Sequence, residues 1–159
     1  MYDKPFMLEI VTPEKIFMRE EVFSVVVPEP DGEIGVLAHH TPLIAALISG
    51  VIRYQDLHGA EHKLAIGGGF LKVAHNEARI LAESAEMGDE IDVKRALDSL
   101  RRAKERLHLN SQYIDSSTAA SLSSEVNQRT ATFNRMRAEE SMRRAISRLK
   151  AAEASTDLY

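Results

Sequence analysis

The spacing of apolar residues changes at Gly88, and this change constrains the fold more than any other feature of the chain. Before Gly88, short apolar or alternating segments recur about every ten residues, which is typical of antiparallel strands in a sandwich or barrel. After Gly88, apolar residues recur with the helical period of about 3.6 residues. The sequence therefore predicts an all-β domain over residues 1–88 and a helical domain over residues 89–159.

Turn residues separate the strand-like segments of the first domain. Asp31-Gly32 and Asn76 lie in polar connections and tolerate the backbone angles of tight turns. The segment VIRYQD alternates cleanly, so we expect Ile52 and Tyr54 on one face of a half-solvated strand. The glycines of GGGF predict a bulge or a close strand crossing. They do not form a phosphate loop, because no G-x-x-x-x-G-K-[ST] arrangement exists in the chain.

Two amphipathic helical patterns follow. In the first, residues 90–107, an apolar stripe lies opposite an arginine stripe made of Arg95, Arg102 and Arg106. In the second, about residues 126–154, the apolar stripe lies opposite Arg137, Arg144 and Arg148. Asp89 or Asp92 is expected to cap the first helix.

The segment between the two patterns, residues 108–125, is rich in serine and has no strong apolar rhythm. We expect it to be a connection that is mobile at least in part. Two amphipathic helices joined in this way predict an antiparallel hairpin. The predicted fold class is α+β as two domains, an N-terminal antiparallel β-sandwich followed by a C-terminal α-helical hairpin.

Charge and composition exclude several functions. The chain has no cysteine, which rules out disulfides and thiolate chemistry, and the adjacent His39 and His40 have no third metal ligand at useful spacing. No nucleophile elbow is present, so we expect no active site and no metal site. The longest apolar run, residues 42–52, is too short to span a bilayer. The N-terminal residues predict no secretory signal, which favours the cytoplasm.

Several motifs, in order, resemble the epsilon subunit of F-type ATP synthases. They are DGEIGVLAHHTPLIAAL, IGGGFLKV, ILAESAE and IDVKRA, followed by RAEESMRRAISRLKAAE near the end of the chain. The resemblance covers residues 6–107 and resumes at about residue 137. It implies a β-sandwich followed by a pair of helices, in a small non-catalytic part of the rotor.

The resemblance also implies partners and a location. The sandwich is expected to bind the gamma subunit and the loops of the c-ring, helping to couple rotation to proton or sodium ion flow. Glu33 matches the position that contacts the ring, and His40 matches a position that can meet gamma. The complex would place the chain peripherally on the cytoplasmic face of the cell membrane, with no direct membrane insertion.

In members of this family, a motif at the start of the first helix is associated with ATP binding by the folded hairpin. Ile91, Asp92, Arg95 and Ala96 match this motif in full. The resemblance assigns further phosphate-facing positions to Arg102, Arg144 and Arg148, and an expected main-chain contact to Glu86. ATP would then be a regulatory ligand rather than an obligatory cofactor.

The spacing of the arginines is compatible with such a site. Arg95 and Arg102 lie two turns apart on one stripe, and Arg144 and Arg148 lie one turn apart, so an antiparallel pairing can aim four guanidinium groups at one polyphosphate. A net binding free energy of roughly 6 to 8 kcal/mol, near micromolar, is expected. In the family, the open hairpin extends along gamma to the alpha/beta catalytic head and blocks ATP hydrolysis, so ATP would act by a population shift.

Three alternatives remain open at this stage. The arginines could form a solvated face with ion pairs to acids placed four residues earlier, namely Asp98 with Arg102, Glu139 with Arg143 and Glu140 with Arg144. The hairpin could bind nucleic acid, although residues 89–159 carry a net charge of only +2 and few aromatic residues. The chain could also be a nucleotide sensor outside a rotary complex.

Overall fold

The computed structural model describes residues 4–117 and 124–153, with residues 110–117, 124–128 and 131 described by their helical backbone alone. These ranges form strands, a short 3₁₀ turn and two long helices. The elements in chain order are β1 (Phe6–Val11), β2 (Ile16–Glu29), β3 (Gly32–Leu37), β4 (Leu43–Asp56), β5 (Glu61–Ala74), β6 (Glu77–Ala82), β7 (Ala85–Met87), the 3₁₀ turn (Gly88–Glu90), α1 (Val93–Ser117) and α2 (Ser124–Ala151).

The strands pair in the order β1-β6-β5-β4-β2-β3, and β1 also pairs with β2, so the sheet curls back on itself. All pairings are antiparallel except β1 with β6, which is parallel with Ile10 opposite Ile80. The register of β1 with β2 shifts between Ile10 and Val11, as expected where a strand bends between layers. The predicted sandwich followed by a helical hairpin is confirmed.

Each of the two central strands is longer than the sequence pattern indicated. The apolar segments around residues 42–47 and 51–56 are parts of one strand, β4, and those on either side of the glycine run are parts of β5. The glycines act as a bend inside β5. Gly68 and Gly69 have φ of +98° and +145°, and a Cβ on Gly69 would overlap the Leu81 carbonyl oxygen of β6. The predicted close strand crossing is therefore confirmed.

The sandwich encloses an aliphatic core. Ile52 and Tyr54 of β4 point inward and are buried, as the alternation of VIRYQD predicted. They pack among side chains from the other strands, including Leu8, Ile10, Val22, Val25, Leu64, Leu71 and Ile80. Each of these fully buried side chains contributes on the order of 1.5–3 kcal/mol through removal of apolar surface from water.

The two helices extend further into the serine-rich segment than the sequence predicted. Asp92 caps α1, because its Oδ1 accepts a hydrogen bond from the Arg95 backbone N–H at 3.0 Å. The prediction that residues 108–117 belong to a connection is wrong, since α1 continues to Ser117. No proline or glycine follows Gly88, so nothing in the backbone chemistry stops either helix early. The centre of the predicted connection, residues 118–123, lies outside the described residues.

The hairpin lies folded against the sandwich. Helix α2 packs on β4 and β5, and α1 packs on α2. A second apolar cluster fills these contacts and consists of Ala65, Ile91, Ala96, Leu100, Ala145, Leu149 and Ala151. The backbone at Gly88 approaches the end of α2 so closely that a Cβ there would overlap the Ala151 carbonyl oxygen. Neither helix, over its described residues, is long and apolar enough to cross a membrane.

Candidate nucleotide site and contact surfaces

Arg148 joins the hairpin to the sandwich at the predicted nucleotide site. Its Nε–H donates to Glu86 Oε2 at 2.7 Å, and each side chain is about one-third exposed (37% and 35%). Strand β7 fixes Glu86, which pairs with Ala65 of β5 in the sheet register. The structure thus brings Glu86 and Arg148, both predicted nucleotide-site residues, into direct contact between the sandwich and the hairpin.

Arg144 lies one helical turn before Arg148 and faces the same part of the sandwich. Its Nη1 is 3.9 Å from Glu83 Oε2. This distance is too long for a hydrogen bond, and both groups are substantially exposed, so the attraction is weak. Arg144 is consequently the easier of the two arginines to recruit to a different anion.

The motif residues at the start of α1 have structural roles of their own. Asp92 is the N-cap described above, while Ile91 and Ala96 are buried in the contact between the hairpin and the sandwich. These three residues therefore position the first turn of α1 against the end of α2.

Arg95 and Arg102 both have exposed side chains on α1. The Arg102 Nη2 donates to Ser99 Oγ at 3.0 Å, within its own helix. No side-chain hydrogen bond or ion pair of Arg95 occurs among the described residues. Neither arginine is held by α2 or by the sandwich, so both guanidinium groups could turn toward a ligand at modest cost.

The ion pairs expected from a simple solvated face do not form as predicted. Asp98 pairs with Arg101 at 3.3 Å rather than with Arg102, and Glu139 pairs with Arg135 at 2.9 Å rather than with Arg143. Glu140 accepts a short hydrogen bond from Ser49 of β4 instead of pairing with Arg144. The four predicted nucleotide-site arginines are thus left without i,i+4 carboxylate partners in the described part of the chain.

A cavity of about 850 Å³ lies between the helices beyond the sandwich. Arg144 lines it, together with Arg106, Arg137 and Phe133, but the other predicted nucleotide-site residues do not. The sequence pattern places Arg106 and Arg137 on the arginine stripes, whereas nothing in that pattern distinguishes Phe133. Its ring lies 5.5 Å from the Arg137 guanidinium.

Glu33 and His40 lie in different local environments. Glu33 accepts two hydrogen bonds from Arg53, at 3.2 and 2.7 Å, and this pairing raises the pKa of Arg53 above its ordinary value. His40 follows β3, and its Nδ1 lies 2.8 Å from the Thr41 carbonyl oxygen. Glu33 is therefore held in place by an ion pair, while His40 is held by local backbone contacts.

An exposed apolar band, which sequence reasoning missed, crosses the outside of the sandwich. Phe70 and Leu81 are neighbours in the β5–β6 register and are 59% and 52% exposed. Ala46 of β4 continues the band next to Phe70, and Ile44, on the same face of β4, is more exposed still. Beyond Leu81 the register leads to Val11 and then to Ile16. We call these six residues the outer apolar band.

The described residues contain no group of three or more histidine, aspartate or glutamate side chains arranged to hold a metal ion. The polar contacts of the region instead connect the hairpin to the sandwich. Besides Arg148 with Glu86, the Lys63 Nζ of β5 donates to Glu153 Oε1 at 2.5 Å just after α2. The arrangement can therefore hold a hairpin in place and offer cationic groups to an anion.

Comparison with known proteins assigns the sandwich to a protein family. The model of the ATP synthase delta/epsilon chain β-sandwich domain matches residues 5–88. The ATP synthase epsilon chain of Syntrophomonas wolfei is 42% identical over 153 residues, 96% of this chain and 98% of that protein. The epsilon chain of Desulforamulus reducens is 40% identical over 146 residues, 92% and 96% of the respective chains. The chain belongs to the ATP synthase epsilon chain family.

A solved structure extends the comparison to the fold of both domains. The structure of the Euglena gracilis mitochondrial ATP synthase, described as OSCP/F1/c-ring in rotational state 1, contains a chain that superposes with a TM-score of 0.69 at 20% identity. The match covers 94% of this chain and 81% of that one. At this identity the likeness supports the fold, a sandwich followed by helices.

Proposed function

We propose that this protein is a non-catalytic rotor subunit in the central stalk of an F-type ATP synthase. In this role it couples rotation to proton or sodium ion translocation and acts peripherally at the cytoplasmic face of the membrane. The observation that carries the proposal is the outer apolar band on a sandwich of the epsilon chain family. A contiguous exposed apolar surface of this kind marks a site that a partner covers.

The partner proposed for the outer apolar band is the gamma subunit. Phe70 and Leu81 stand side by side near its centre, so a partner surface would remove both from water at once. Aromatic and aliphatic side chains buried at the centre of an interface contribute most of its binding free energy. His40, on the turn after β3, is proposed as a peripheral contact with gamma.

Glu33 is proposed to contact the c-ring loops. It is the second residue of β3, next to the tight turn at Gly32. Its carboxylate is about half exposed although it pairs with Arg53. An ion pair held in this way presents a fixed pattern of charge to a partner rather than a mobile one. Such patterns set the register of an interface more than its affinity.

The hairpin is proposed to regulate ATP hydrolysis by moving between the folded arrangement and an extended one. In the extended form, its helices would lie along gamma and reach the alpha/beta catalytic head. The folded form is stabilised by the second apolar cluster and by the Arg148–Glu86 and Lys63–Glu153 ion pairs. ATP would stabilise it further only if ATP binds the folded form better than the extended one.

The Arg148–Glu86 ion pair means that ATP must compete with a carboxylate at the proposed site. Arg148 pairs with the Glu86 carboxylate, so ATP must either displace this carboxylate or share the guanidinium with it. Arg144, held only loosely by Glu83, could turn to the phosphates with less loss. The proposed site therefore contains Arg95, Arg102, Arg144 and Arg148. Ile91, Asp92 and Ala96 position the first turn of α1 at this site.

The rotor proposal is tested by binding to purified gamma. Phe70→Ser and Leu81→Ser should each weaken the complex by about tenfold or more, because each removes apolar surface from the centre of the band. Lys72→Ser is the matched control, since Lys72 is an exposed residue of β5 on the same face as Phe70 and its side chain ends in a charged group. Equal affinity for all three variants would place gamma elsewhere on the chain.

A further inference from the structure

A second cavity, of about 530 Å³, lies between the sandwich and α2. Its α2 wall is a single helical stripe that consists of Arg143, Ile146, Ser147 and Lys150. Its sandwich wall comes from the end of β2, the start of β3, and from β4 and β5. This cavity shares no lining residue with the predicted nucleotide site, because Arg144 and Arg148 face Glu83 and Glu86 instead.

The charges that line this cavity are not balanced. Arg53 and Lys63 each have a carboxylate partner, in Glu33 and Glu153 respectively. The side chains of Arg143 and Lys150, by contrast, have no ion-pair partner among residues 4–109 and the described side chains of α2. Glu61 also lines the cavity, from an exposed position at the start of β5. With Glu153 included as the partner of Lys63, four cations meet three carboxylates, so the cavity keeps a net positive charge that favours an anion.

The walls also include apolar surface. Ile48 and Val51 of β4 and Ile146 of α2 are among the lining residues. Ser147 does not contribute a free hydroxyl, since its Oγ–H donates to the Arg143 carbonyl oxygen at 2.9 Å. The cavity thus combines two unpartnered cations, two turns apart on one helix, with an apolar surface between the domains. This combination suits an anion that carries an organic group.

We propose that this cavity binds a phosphate ester, with Arg143 and Lys150 contacting the phosphate and Ile48, Val51 and Ile146 contacting the organic part. The site is complete only while α2 lies on the sandwich, because Arg143 and Lys150 belong to α2 and most of the other lining residues belong to the sandwich. Binding therefore stabilises the folded hairpin by a free energy that grows with the logarithm of one plus the ratio of ligand concentration to Kd. The proposal does not depend on the rotor assignment or on ATP binding.

Two sources share this chemistry, a soluble phosphate ester and the headgroup of an anionic phospholipid. Calorimetry with glycerol 3-phosphate tests the first source. Flotation with phosphatidylglycerol vesicles, compared with phosphatidylcholine vesicles, tests the second. Both use the full chain. Binding in one of the two arms is expected and identifies the source.

The decisive variant is Arg143→Ala combined with Lys150→Ala, which should weaken the observed binding by at least about tenfold through loss of two charge-assisted contacts. The charge-matched control is Lys94→Ala with Arg101→Ala, which removes two exposed cations from α1 of the same hairpin. Arg143→Lys with Lys150→Arg should retain most of the affinity.

Unchanged affinity in the Arg143→Ala, Lys150→Ala variant would overturn the proposal, as would absence of binding in both arms. An equal loss in the Lys94→Ala, Arg101→Ala control would also overturn it, because general electrostatic attraction would then explain the result. A thermal melt of each variant confirms that the hairpin is still folded. Since Arg143 and Lys150 are exposed on α2, neither substitution removes a core contact.

Discussion

Arg148 of α2 and Glu86 of β7 form an ion pair, Nε to Oε2 at 2.7 Å, that connects the helical hairpin to the sandwich. The two residues are separated by 62 positions in the sequence and meet only because α2 lies folded on β4 and β5. A guanidinium proposed to bind phosphate thus has a carboxylate as its partner in the folded hairpin. The strength of this contact affects both the stability of the folded hairpin and its proposed response to ATP.

Arg148→Ala and Arg144→Ala should each weaken ATP binding by the isolated chain. Loss of one charge-assisted hydrogen bond corresponds to about 1.5–3 kcal/mol, which is about tenfold or more in Kd. Isothermal calorimetry measures the effect. Arg101→Ala is the control, because Arg101 is not a predicted site residue and pairs with Asp98 of its own helix. Unchanged ATP affinity in both variants would refute the proposed site.

Glu86→Gln should have the opposite effect on ATP binding. The substitution keeps the backbone of β7 and removes the negative charge that occupies Arg148, so ATP affinity should rise by a few fold. Glu83→Gln is the comparison and should change the affinity less, since Glu83 lies 3.9 Å from Arg144. A fall in ATP affinity with Glu86→Gln would show that the carboxylate itself assists binding.

Gly88→Ala should release the hairpin from the sandwich. An added Cβ would overlap the Ala151 carbonyl oxygen and lie 3.0 Å from the Lys63 carbonyl oxygen, so the end of α2 must move at a cost of about 1–3 kcal/mol. Hydrogen exchange should then be faster in α2 and unchanged in the sandwich. Gly35→Ala is the control, because a Cβ at Gly35 meets no atom within 4 Å. Equal protection of α2 in both variants would contradict the prediction.

The pKa of Asp56 should lie below its ordinary value of 3.8. The main cause is the hydrogen bond with His62, at 2.9 Å, followed by the backbone N–H of Ala60. Because the folded pKa is lowered, the stabilisation that Asp56 provides is present above pH 3.8 and is lost as pH falls through the folded pKa. NMR titration of the carboxyl carbon measures the value.

Two histidine variants separate the causes of this shift. His62→Ala should bring the pKa of Asp56 closer to 3.8. His58→Ala should leave the pKa of Asp56 low, because His58 contacts Asp56 through its backbone N–H, which the substitution keeps. The same pKa in both variants would mean that the His62 side chain is not the main cause.

Much of the architecture was predictable because local patterns agree with the fold. The alternation of VIRYQD placed Ile52 and Tyr54 in the core, and the glycine run marked the close approach of β5 to β6. The lengths of the helices were not predictable from apolar rhythm, since α1 continues to Ser117 through residues without an apolar stripe. There the absence of proline and glycine was the more informative signal.

The change from strands to helices at Gly88, the cap at Asp92 and the arginine stripes follow from local sequence, because they depend on residues within a few positions of one another. Which anions those arginines meet depends instead on how distant segments pack together. Arg148 pairs with Glu86, and Arg143 and Lys150 face a cavity shared with β4, because contacts between distant segments depend on how α2 lies on the sandwich. The outer apolar band likewise exists only because strand register places Phe70 beside Leu81.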